Sequence, residues 1–68
     1  MMGYMTFRTR AEAKAEVAKM RGWTTRIVQL YMPDDANADD NGNVYVIQCN
    51  AGNKYQQPIY LRTDGYVN

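Results

Sequence analysis

A single cysteine and no histidine in 68 residues leave this chain without an internal covalent or metal staple. Cys49 alone can form no internal disulfide, and no ligand cluster accompanies it. A domain this short buries only about 60% of the surface its unfolded form exposes. Its core then supplies no more than a few kcal/mol of net stability. The rest must come from compact packing of well-formed elements, or from a partner or a second copy. One domain is the most the length allows.

The clearest local signal is a helix. Thr9 followed by Glu12 forms a capping-box pattern, and an alanine-rich stretch of helix formers runs from Arg10 to Arg21. Gly22 supplies a stop, and Trp23 stands where a hydrophobic residue folds back on the last turn. Three strands are expected after it. Thr24 to Met32 alternates and ends at Pro33; Asn43 to Asn50 follows the turn signal Asn41-Gly42; Ile59 to Arg62 is entered through Pro58. Asp64-Gly65 is expected to turn the chain again before Tyr66-Val67.

These elements predict one α+β domain over 1–68: one N-terminal helix packed on one face of a three- to four-stranded antiparallel sheet. The helix is expected over 9–22 and the strands over 24–32, 43–50 and 58–62, with 1–8 an edge strand or disordered. Alternation assigns Val28, Leu30, Val44, Val46, Ile59 and Leu61 to the helix-covered face. It leaves Ile27, Gln29, Tyr31, Tyr45, Ile47, Cys49, Tyr60 and Arg62 on an open one, and a one-residue shift would exchange the two.

Charge is divided along the chain although the net is only +1. Residues 1–30 carry six basic groups against Glu12 and Glu16, a net of +4. Residues 31–53 carry Asp34, Asp35, Asp39 and Asp40 with no base, a net of −4. Such a dipole can orient a partner before contact. The acidic stretch also follows the spacing of a calcium loop from Asn37 to Gln48, but Asn and Gln replace the two charged ligands at its ends. It reads as a long polar hairpin loop, and no metal or other cofactor is expected.

Catalysis is not expected. No histidine can serve as base, Glu12 and Glu16 lie four residues apart on one helix, and mid-strand Cys49 has no histidine to activate it. Contact is the better reading. Five of six tyrosines fall at or after position 31, and tyrosine suits a surface that is wet when alone and dry when bound. The tyrosine face reads as ordinary strand residues, a protein interface, or a base-stacking platform.

The candidate protein-binding residues are Tyr31, Tyr45 and Tyr60 as anchors, with Asp34, Asp35, Asp39 and Asp40 as an electrostatic docking patch. The alternative is a small nucleic-acid-binding domain using Arg10, Lys14, Arg21, Arg26 and Arg62, although a basic helix edge also forms as a border around a buried seam. A third reading is a homodimeric structural subunit whose open face closes on its own copy. No apolar run approaches the ~20 residues of a membrane span, and the chain is expected to be soluble and cytoplasmic.

In size and style the chain resembles small phage-encoded accessory proteins of the anti-defence, anti-CRISPR-like type. The features that carry the resemblance are the helix from Thr9 to Arg21, the acidic hairpin loop and the tyrosine-rich sheet. The resemblance implies a non-enzymatic inhibitor that blocks a host defence protein in the host-cell cytoplasm. It carries over no site residues.

Overall fold

The computed structural model describes residues 3–63. The turn expected at Asp64-Gly65 and the pair Tyr66-Val67 lie outside the described residues, as do Met1 and Met2.

The chain is α+β, and the described residues form one helix and a two-stranded antiparallel sheet. Helix α1 spans Arg10–Val17, strand β1 Arg26–Tyr31 and strand β2 Asn43–Gln48. The capping box starts α1: the Glu12 N–H donates to Thr9 Oγ1, and the Thr9 N–H to Glu12 Oε1, both at 3.2 Å. The helix stops four residues short of the expected Arg21. Beyond Ala18 the backbone bonds shift to three-residue spacing, with Lys19 N–H on the Glu16 carbonyl and Met20 N–H on that of Val17. This tighter winding closes the last turn, and Gly22, at φ 83°, redirects the chain toward β1.

β1 and β2 pair in the register Arg26↔Gln48 through Tyr31↔Asn43. The expected third strand and the N-terminal edge segment meet the sheet only at the isolated bridges Gln48↔Tyr60 and Phe7↔Tyr45, and meet each other at Tyr4↔Arg62. Cys49 N–H donates to the Ile59 carbonyl, Leu61 N–H to that of Ile47, and Met5 N–H to that of Leu61. β2 is therefore bonded along both edges, by β1 on one side and by both chain ends on the other. Among the described residues β1 is bonded along one.

Ala13 is fully buried and forms one cluster with Ile47, Cys49 and Leu61, against which Met5, Phe7, Val17, Met20, Ile27 and Tyr45 pack. This corrects the face assignment. Ile27, Tyr45, Ile47 and Cys49, expected on an open face, lie on the side that clusters with α1, while Val44 and Val46 point the other way. Both sets are buried: Val44, Val46, Ile47 and Cys49 are each at most 1% exposed. A strand buried on both faces loses its polar–apolar alternation, and with it the signal that tells one face from the other. No helix among the described residues is long and apolar enough to cross a membrane.

Candidate functional site

The hairpin loop between β1 and β2 is ordered by its own acidic residues. Asp35 Oδ1 accepts from the Asn37 N–H at 2.8 Å and from Thr6 Oγ1 at 3.0 Å. Asn37 Nδ2 donates in turn to Thr6 Oγ1 at 2.9 Å and to the Thr6 carbonyl at 3.3 Å. Asp39 Oδ1 accepts from the N–H groups of Asn41 at 2.8 Å and Asn43 at 3.0 Å. The Asn43 bond above all holds the Asp39 carboxyl below its ordinary range, against a partial opposing effect of desolvation; the Asn41 bond and the charge of Arg8 add to the lowering. Arg8 Nη1 also donates to the Ala38 carbonyl at 3.1 Å, so the loop is fastened to the N-terminal segment at two places.

The four aspartates thus divide by role. Asp35 and Asp39 face inward as turn-forming acceptors, while Asp34 and Asp40 remain exposed. The signal that separates them is present in the sequence. Asp35-Ala36-Asn37 and Asp39-Asp40-Asn41 each place an acceptor two residues before the N–H it captures. Among the described residues no group of three or more His, Cys, Asp and Glu could hold a metal ion.

Tyr31 ends β1 at the mouth of this loop. Its side chain is 72% exposed, yet its ring edge stands over Gly42, whose φ of 82° bends the loop back into β2. Next to it Met32, Pro33, Asp34 and Asp35 line a shallow open groove. The structure therefore brings Tyr31, Asp34 and Asp35 to one end of the hairpin.

The other two tyrosines are elsewhere. Tyr45 is half-buried against the Ala13 cluster, with the Arg10 guanidinium 5.4 Å from its ring centroid. Tyr60 pairs in register with Gln48 and so lies on the opposite side of the sheet. There it meets Tyr4 edge to face, with centroids 4.9 Å apart. Tyr31, Tyr45 and Tyr60 do not form one surface. The basic residues are similarly dispersed. Lys14 and Arg21 are exposed on and beyond α1, Arg26 is exposed at the start of β1, and half-buried Arg62 lies beside Tyr4 at the far edge.

Two exposed aromatics were not among the expected anchors. Trp23 is 50% exposed, and Tyr55 is 89% exposed, with Lys54 Nζ 5.6 Å from its ring centroid. The loop that carries Tyr55 is closed by Asn50. Asn50 Oδ1 accepts from the Ile59 N–H at 3.0 Å, and Asn50 Nδ2 donates to the Gln57 carbonyl at 2.9 Å. Ala51 N–H donates to the Thr24 carbonyl, which places this loop beside Trp23. Exposed aromatics therefore stand at both ends of β1. No protein-family model, curated protein or solved structure matches this chain.

Proposed function

We propose that the chain works by contact, as a small non-enzymatic protein-binding inhibitor. It blocks a target through the hairpin end that carries Tyr31, Asp34 and Asp40, as phage-encoded anti-defence proteins block theirs. The observation that carries this reading is the state of Tyr31, a residue 72% exposed whose ring edge lies over Gly42. An aromatic side chain already positioned loses little conformational freedom on binding, which is the economy of an interface anchor. The exposed carboxylates beside it suit a basic target surface and act on encounter.

The test is retention of protein from bacterial lysate on the tagged chain, with and without nuclease, followed by affinity measurement on the identified partner. One stoichiometric protein should survive nuclease. Tyr31→Ala should weaken its binding at least about tenfold, the scale of an interface anchor. The pair Asp34→Asn and Asp40→Asn should slow association and reduce its salt dependence. Unchanged binding by Tyr31→Ala would sink the proposal. Loss of all bound material on nuclease treatment would do the same, and would move the function to nucleic acid.

A further inference from the structure

Among the described residues, the outer edge of β1 is a row of unpaired backbone groups whose identity follows from the register. Met32 N–H donates to the Gly42 carbonyl at 2.8 Å, one step beyond the Tyr31↔Asn43 pair. Bonding alternates along an antiparallel pair, so Leu30, Val28 and Arg26 also bond inward to β2. The far side of β2 agrees: Tyr45, opposite Gln29, exchanges both its backbone bonds with Phe7 at 2.9 Å, away from β1. Ile27, Gln29 and Tyr31 therefore direct their N–H and C=O groups outward. Among the described residues none of these groups has a hydrogen-bond partner.

We propose that this edge pairs with the same edge of a second copy, antiparallel about a twofold axis at Gln29, joining two hairpins into one four-stranded sheet. The twofold matches Gln29 with Gln29 and Ile27 with Tyr31 of the second copy, and all the outward groups bond. On one face, Ile27 falls beside the Tyr31 backbone of the other chain, whose ring stays over its own Gly42; on the other face, Val28 meets Leu30. Aliphatic pairs of this kind stabilise sheets, and no like charges face each other. Pro33, which has no N–H, ends the pairing at the loop.

Charge selects the second copy as the occupant. β1 runs from the basic part of the chain into the acidic loop, and the twofold lays each strand's basic end along the other's acidic end. Arg26 of each copy falls opposite Met32 of the other, two residues from Asp34, so one base meets the start of the acidic loop at each end of the pairing. One guanidinium against four carboxylates leaves each loop acidic, and Gln29 takes no part in the target surface proposed above. The opposite edge of the fold is blunted. There the Thr6 carbonyl accepts from Asn37 of the docked loop, so pairing closes at a dimer instead of continuing as a fibre.

Sedimentation equilibrium across micromolar to millimolar concentrations tests the pairing. The mass should rise with concentration from 7.8 kDa to twice that value and stop. Gln29 is exposed, so charged residues there leave the fold intact, which circular dichroism checks. Gln29→Lys and Gln29→Glu each set like charges opposite one another across the axis and should each raise the dimer dissociation constant at least about tenfold. An equimolar mixture of the two variants should restore a dimer. A chain that stays monomeric at millimolar concentration would overturn the proposal, as would a dimer indifferent to both substitutions or an assembly that grows past two.

Discussion

The ring of Tyr31 fills the space that a side chain at Gly42 would need: a β-carbon at position 42 would stand 2.8 Å from Tyr31 Cε1 and 3.1 Å from the Pro33 Cβ. Gly42 also has φ 82°, a backbone region that side chains disfavour. Both the turn and the aromatic anchor thus depend on a missing side chain. Gly22 has a nearly identical φ of 83° but nothing within 4 Å of its position. The two glycines separate backbone strain from steric conflict. Gly22→Ala should cost about 1 kcal/mol in urea unfolding, the left-handed penalty alone. Gly42→Ala should cost about 1–3 kcal/mol more, most of it recovered in a Tyr31→Ala background. Equal costs at the two sites would mean that Tyr31 does not rest on Gly42 in solution.

Asp39 makes the loop sensitive to acid. Its folded-state carboxyl lies below the ordinary value of 3.8 because backbone N–H groups, that of Asn43 first, bond its charged form. A depressed folded pKa contributes stability that is complete above the unfolded value and lost as pH falls through the folded one. The stability of the wild-type chain should therefore decline below about pH 4, the ordinary carboxylate range. Asp39→Asn keeps an oxygen that can accept both bonds but cannot titrate. Its acid limb should be shallower when Tm is followed from pH 6 to pH 2; an unchanged limb would show that other carboxylates set it.

Asn50 holds the Tyr55 loop with one side chain. Asn50→Ala removes the acceptor from the half-buried Ile59 N–H and the donor from the Gln57 carbonyl, and an unmet buried group costs about 1–3 kcal/mol. Leu61 N–H, bonded to the Ile47 carbonyl at 2.9 Å, is an internal control that the substitution does not touch. Amide exchange at Ile59 should accelerate more than at Leu61. Equal acceleration would mean that the substitution loosens the whole domain.

Legibility in the sequence followed the range of the interaction. The start of α1 was readable because Thr9 and Glu12 bond each other three residues apart. The β1–β2 hairpin was readable because Pro33 and Asn41-Gly42 punctuate two apolar runs. The helix end was not, since Lys19 and Met20 are good helix formers whose bonds simply shift by one residue. The sheet faces were hidden by burial of β2 on both sides. The candidate site was legible in part: Tyr31 and the acidic loop adjoin in sequence and in space. The separation of Tyr45 from Tyr60 was not, because it depends on the bridge between Gln48 and Tyr60, twelve residues apart, and on what α1 covers.

Cys49 offers a direct reading of how firmly the core closes. Its thiol is 1% exposed and in the Ala13 cluster, and burial pushes its pKa above the ordinary 9.0. The raised value means that the unfolded chain loses the thiol proton at a lower pH than the folded one. The corresponding stability is present below the unfolded pKa and declines as pH rises through and beyond 9. The thiolate is the reactive form, so the native thiol is both shielded and protonated. At pH 8 a thiol reagent should label the native chain slowly, at a rate set by opening of the domain, and label the urea-unfolded chain within the mixing time. Gly42→Ala should speed native labelling about tenfold for each 1.4 kcal/mol of stability it loses, because opening exposes Cys49. Rapid labelling of the wild-type chain without denaturant would place Cys49 at the surface and remove the cluster on which the face assignment stands.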